Sequence, residues 1–197
     1  MSVGTPLVPR WWDLPTPAGR LTLSPVKSER DLPDIHRWMN DPAVARYWEL
    51  DGPIERVAEH VAEQRAAAHT DAYVARLAGR PIGYWEVYRA AEDRLAEYYP
   101  ALRDDVGVHF LIGEPDCRGI GLGTLLLRVV CDAIQTRSDG PCRIVAEPDA
   151  RNTASVRAFR AAGFEASGII DLPEKRAVLV IRSAVPRPRR PSDPGSP

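Results

Sequence analysis

The stretch that most constrains this chain is Arg118-Gly119-Ile120-Gly121-Leu122-Gly123-Thr124. An apolar run, Val106 to Ile112, stands just before it. Leu125, Leu126, Val129, Val130, Ala133 and Ile134 follow at the spacing of one face of an amphipathic helix. The local order is therefore strand, short turn, glycine-rich loop, helix. Three glycines within five residues leave no side chains to block close approach and permit positive φ. Backbone N–H groups at the mouth of the helix then converge on an anion, with the helix dipole behind them. Arg118 adds a fork of donors suited to phosphate oxygens. The segment reads as a pyrophosphate cradle or as a plain glycine turn, and the glycines alone do not choose. A P-loop is excluded because no Gly-Lys-Ser/Thr closes the segment. The dinucleotide fingerprint is excluded because Thr124 stands where its last glycine belongs.

A chain of 197 residues can bury a sizeable core as one domain. Its net charge of -1 gives no electrostatic case for nucleic acid or an anionic membrane. No apolar run approaches membrane-spanning length, and the N-terminus lacks a signal-peptide pattern. A cytoplasmic protein is expected, with a monomer as the default. Cys117, Cys131 and Cys142 form no metal-ligand spacing, so they read as reduced thiols and no metal is expected. Cys117 sits beside Arg118, but no base adjoins it in sequence to make it a nucleophile.

Residues 1–19 carry Pro6, Pro9, Pro15 and Pro17 with Trp11 and Trp12, and read as an arm over the surface. Residues 20–184 are the folded domain. Residues 185–197 are rich in proline and arginine and read as a disordered tail. Within the domain the pattern predicts a strand at 21–23, then a helix from Ser28 or Asp31 to Asn40-Asp41-Pro42 with a short continuation at 43–48. A second helix is expected over 53–69, and a hairpin of strands over 72–77 and 82–88. A long polar connection at 89–105 leads into the strand at 106–112, and connections of that length are often functional. After the glycine loop and its helix come a strand at 143–147, a helix at 152–162 closed by Gly163, and a strand at 177–181. The class is α/β.

Arg118-x-x-Gly121-x-Gly123 resembles the acyl-CoA pyrophosphate loop of the GNAT N-acyltransferases. A second segment, Asn152-x-x-Ser155-x-x-x-Phe159-x-x-x-Gly163-Phe164, is similar to that family's Asn-x-x-Ala-x-x-x-Tyr-x-x-x-Gly-Phe, one strand and one helix later. The resemblance covers roughly residues 20–183. It implies a mixed central sheet flanked by helices, with the fourth and fifth strands splayed around the pantetheine arm of acyl-CoA. Leu111, Ile112 and Gly113 would offer backbone groups to that arm. Arg118, Gly119, Gly121, Gly123, Thr124 and Asn152 would complete the CoA site. One departure is chemical. Many family members carry a Tyr that protonates the leaving thiolate, and Phe159 has no hydroxyl.

His109 and Asp149 are the candidates for the vacant chemistry. His109 lies on the expected fourth strand, opposite in facing to Val108 and Phe110. Asp149 closes Glu147-Pro148-Asp149 at the end of the fifth. His109 is expected to take a proton from the acceptor nitrogen, with Asp149 orienting its ring. The alternatives are a core histidine and a helix N-cap. Ile82–Arg89, Asp105–Gly113 and Val145–Asn152 together resemble the siderophore-biosynthesis branch. That branch acylates the side-chain nitrogen of lysine, N6-hydroxylysine or a related diamine, from acetyl-CoA, succinyl-CoA or an acyl carrier protein. Trp48, Trp85, Glu86, Tyr88, Asp93 and Tyr99 are the candidate acceptor residues, since aromatics and carboxylates suit a cationic amine or a hydroxylamine. Their alternative reading is core or solvated loop. An aminoglycoside N-acetyltransferase and a non-catalytic acyl-CoA-binding module are the rival functions.

Overall fold

The computed structural model describes residues 12–138 and 140–184. Sequence alternation builds a sheet of eight strands from them. These are β1 (Trp12–Thr16), β2 (Gly19–Pro25), β3 (Thr70–Leu77), β4 (Arg80–Arg89), β5 (Val106–Ile112), β6 (Ile144–Ala146), β7 (Glu165–Asp171) and β8 (Arg176–Arg182). Their order across the sheet is β1-β2-β3-β4-β5-β6-β8-β7. Every neighbouring pair is antiparallel except β5 with β6.

Helices cover both faces. The periodic apolar residues of α1 (Ser28–Met39) and α3 (Ile54–Ala66), with Val44 of α2 (Pro42–Trp48), pack against Val74, Tyr84 and Leu111. The apolar stripe of α4 (Leu122–Arg137) and Phe159 of α5 (Thr153–Ala161) pack on the other face, against Trp85, Val87 and Val108. Asp41 caps α2 by accepting the Ala43 N–H at 2.8 Å, and Pro42 fills the first turn, where no N–H is needed. Among the described residues no helix is long and apolar enough to cross a membrane.

Two elements differ from the expectation. The arm predicted up to residue 19 is sheet from Trp12 onward. Trp12 and Leu14 point inward, with Trp12 only 1% exposed, while Pro15 sits where an edge strand tolerates it. The first eleven residues and the tail from 185 lie outside the described residues. The second addition is β7, an exposed edge strand whose sequence lacks buried alternation.

The feature that positions the site is a fork. β5 and β6 pair only at Val106–Ile144 and Gly107–Val145. Beyond these pairs β6 ends at Ala146, and Asp149 forms a bridge to Ala177 of β8. From Val108 onward β5 has no strand on that side. Gly107 is required at the fork: a Cβ there would sit 2.1 Å from the Tyr88 ring.

Candidate active site

The β4–β5 register places Glu86 directly opposite His109. Period-2 alternation puts Tyr84, Glu86 and Tyr88 on one face of β4 and Trp85 on the other. His109 is two residues beyond the last β5–β6 pair on β5, and Glu147 is two residues beyond it on the β6 side. The fork thus brings an imidazole between two carboxylates. His109 Nδ1 lies 3.0 Å from Glu86 Oε2, and Nε2 lies 2.5 Å from Glu147 Oε1.

Both carboxylates are buried and held from behind. Glu86 Oε1 accepts from Tyr84 Oη at 2.9 Å and lies 2.7 Å from His60 Nε2 of α3. Glu147 Oε2 accepts from Tyr88 Oη at 3.0 Å, and Lys175 Nζ lies 3.4 Å from Oε1. Burial alone would raise both carboxyls, but the bonds from His109 and, for Glu86, His60 outweigh it and hold each at about 2. Burial opposes the charge on His109, yet Glu147 and Glu86 push it up to about 10. An ionised carboxylate only accepts hydrogen bonds, so a ring that serves two of them carries a proton on each nitrogen. Held between two carboxylates, His109 favours the imidazolium form. In that form the ring has no lone pair with which to take a proton from an acceptor nitrogen. Burial and the neighbouring carboxylates raise Tyr84 and Tyr88 well above the ordinary phenol range, which keeps them as donors.

The expected contact between His109 and Asp149 is not made. Asp149 accepts the Arg151 N–H at 2.7 Å and pairs with the Arg151 guanidinium, 2.6 Å from Nη2. The bond from Arg151 holds its carboxyl below the usual range. Both Glu147 and Asp149 have the strand parity that faces His109, but by Asp149 the chain has diverged to β8. Asp149 still lines the same cavity. Asn152, not Asp149, caps α5, accepting the Ser155 N–H at 3.0 Å.

A cavity of about 380 Å³ lies over His109, lined by Trp48, Glu86, Asp93, Glu147, Asp149, Glu174 and Lys175 among others. Trp48 stands edge-on to His109, ring centres 6.4 Å apart. Three expected acceptor residues are not in this wall. Trp85 is core, tilted on Phe110 at 4.8 Å. Tyr99 is core, its hydroxyl donating to Asp105 at 2.9 Å. Tyr88 lies beneath His109, ring centres 4.9 Å apart, with its hydroxyl 3.0 Å from Glu147 Oε2 and 3.3 Å from His109 Nε2. Glu147, His60 and Lys175 were not anticipated. A charged residue closing an apolar strand was the available signal for Glu147.

A second cavity of about 500 Å³ adjoins the first and shares Tyr47, Trp48, Phe110, Asn152 and Ser155 with it. Leu111, Ile112, Arg118, Gly119, Gly121, Gly123 and Thr124 line it. Gly119 and Gly121 adopt φ of +73° and +83°, and nothing fills the space where their side chains would stand. The first N–H groups of α4 have no intrahelical partner and open into this space. Arg118 differs from the expectation. Its guanidinium turns inward, bonding the carbonyls of Ile112 at 2.8 Å and Gly113 at 2.5 Å and the Asp41 carboxylate at 2.9 Å. It fastens the loop to the end of β5. Gly113 lies behind the cavity, its N–H donated to Ile82 and its Cα against Trp38. Among the described residues no His, Cys, Asp and Glu cluster is arranged to hold a metal ion.

Residues 27–172 match the family model described as an acetyltransferase (GNAT) domain. The chain belongs to the GNAT acetyltransferase family. It is 32% identical over 150 residues to the N-hydroxyputrescine acetyltransferase of Acinetobacter baumannii, covering 76% of this chain and 71% of that protein. It is 32% identical over 182 residues to the lysine N-acyltransferase MbtK of Mycobacterium sp. (strain MCS), covering 91% of this chain and 72% of that one. Among solved structures, the aminoglycoside acetyltransferase AAC(6')-Ib with coenzyme A superposes with a TM-score of 0.72 at 25% identity, covering 83% of this chain and 94% of that chain. The family and its relatives make this GNAT chain an N-acyltransferase.

Proposed function

We propose that this GNAT chain transfers an acyl group from acetyl-CoA or succinyl-CoA to the side-chain nitrogen of N6-hydroxylysine or a related N-hydroxylated diamine, a step in hydroxamate siderophore biosynthesis. The donor occupies the second cavity. Its pyrophosphate takes the N–H groups at the start of α4, and its thioester enters the fork beside β5. Free N–H groups along β5 polarise the carbonyl oxygen. The acceptor occupies the cavity over His109, where Trp48, Asp93 and Asp149 face it.

The observation that carries the hydroxylamine reading is the placement of both His109 nitrogens on carboxylates. A doubly protonated ring cannot remove a proton from an alkylammonium. Carboxylates near 2 are poor bases for it as well. The nitrogen must arrive neutral. A hydroxylamine is neutral near pH 7, whereas a lysine side chain at about 10.4 is charged.

Thiol release from acetyl-CoA and succinyl-CoA tests the reading, with N6-hydroxylysine, N-hydroxycadaverine, N5-hydroxyornithine, lysine and kanamycin as separate acceptors. Turnover confined to hydroxylated acceptors supports it. Turnover on lysine alone or on kanamycin alone overturns it.

A further inference from the structure

Acyl transfer to a neutral nitrogen, as read above, makes two proton demands. The nitrogen must lose a proton as the C–N bond forms, and the sulfur must gain one as the C–S bond breaks. Phe159 can meet neither. It is 3% exposed, with its ring against Phe110 at 5.7 Å and Phe164 at 5.0 Å. At the fork itself stand His109 and Glu147, each two residues past the last β5–β6 pair and each in the cavity wall.

We propose that the two divide the work: Glu147 takes the proton from the attacking nitrogen, and His109, protonated on both ring nitrogens, gives one to the departing sulfur. The expected direction of proton flow at His109 is thereby reversed.

The step balances. The nitrogen lone pair forms the C–N bond, and its proton passes to a Glu147 oxygen. Protonation of Glu147 removes the charge that held the Nε2 hydrogen of His109. The C–S electron pair leaves with sulfur, which takes that hydrogen. A neutral carboxyl and a neutral imidazole remain. The proton then crosses the 2.5 Å contact from Oε1 to Nε2, and the ion pair is restored. One thioester and one N–H become one N-acyl group and one S–H.

The surroundings suit this division. Glu86 holds Nδ1 at 3.0 Å, so the ring keeps its orientation while Nε2 exchanges its proton. His60 and Tyr84 hold Glu86 in turn. Tyr88 Oη and Lys175 Nζ fix Glu147. His109 is 34% exposed on its side chain, while both glutamates are nearly covered. A donor raised to about 10 stays charged at neutral pH and lies close to a thiol at about 8.5, the match that efficient proton transfer requires.

The test compares H109Q and E147Q on two acetyl donors with one hydroxylamine acceptor. One donor is acetyl-CoA, and the other is an acetyl thioester of an aryl thiol, whose thiolate leaves without needing a proton. H109Q is expected to lose about 10²–10⁴-fold in kcat on acetyl-CoA and about tenfold or less on the aryl thioester. E147Q is expected to lose the same factor on both. Equal losses by H109Q on the two donors overturn the proposal, as does a donor-dependent loss by E147Q. The wild type gives a second measurement that needs no variant to fold. Its rate is expected to vary little across thioesters of rising thiol pKa, and a steep fall overturns the proposal. Absence of turnover by the wild type with every donor and acceptor would overturn the acyl-transfer reading itself.

Discussion

Glu86 and His109 stand opposite each other across the β4–β5 ladder, with Oε2 and Nδ1 3.0 Å apart. Strand register sets the two residues opposite each other, so the contact needs no movement of the backbone to form. Glu86→Gln preserves the shape and removes one of the two charges that keep His109 protonated. The high-pH limb of the kcat profile, set by loss of that proton near 10 in the wild type, should move down by roughly one unit or more. An unshifted limb would show that His109 ionisation does not control turnover.

The same cluster gives stability a pH signature. His109 is raised in the fold, so its contribution is complete below the ordinary histidine value of about 6.5 and is lost as pH rises through about 10. Glu86 and Glu147 are depressed, so theirs is present above about 4.3 and is lost as pH falls toward 2. Urea midpoints should form a plateau from about pH 5 to 6.5 and decline on both sides. In His109→Gln the alkaline decline should shrink.

Arg118 offers a choice between charge and shape. Its three contacts are two backbone carbonyls and Asp41, which require the planar fork of a guanidinium. Arg118→Lys keeps the charge and loses the fork. It should weaken CoA binding by about tenfold, nearly as much as Arg118→Ala, because about 1.4 kcal/mol of loop ordering goes with the bonds. Calorimetric titration with CoA measures both variants. Wild-type affinity in the lysine variant would assign the residue to phosphate charge instead.

Gly107→Ala tests the fork itself. A methyl group would meet the Tyr88 ring at 2.1 Å, and Tyr88 cannot withdraw without dropping Glu147. The substitution should cost about 1–3 kcal/mol of stability by overpacking, read as a lower urea midpoint. It should also reduce kcat, because Glu147 loses its tether.

Much of this was legible before any coordinates. The strand–loop–helix of Val106–Ile134 and the helix beginning near Asn152 follow from periodicity and glycine placement, and residues of both line the second cavity. Trp12–Thr16 was hidden by prolines, which an edge strand tolerates and a sequence reading treats as breaks. The pairing of His109 with Glu147 in place of Asp149 depended on where two diverging strands part. No local pattern records that distance. The inward turn of Arg118 likewise depends on Asp41, 77 positions away in sequence. His60 reaches Glu86 across 26 positions, from a helix whose period marks Val57 and Val61 but not the polar residue beside them.

Two residue pairs are all the strand pairing between β1–β5 and the β6, β8, β7 group. The sheet is in effect two panels on a short hinge, and an acyl donor lying in the fork is a splint across it. The amides of Phe110 and Ile112, which turn away from β4 into the fork, should exchange more slowly with solvent in the loaded protein than in the free one. Occupancy and cohesion are then linked: the contacts that hold the thioester for attack add to the core that already joins the two panels.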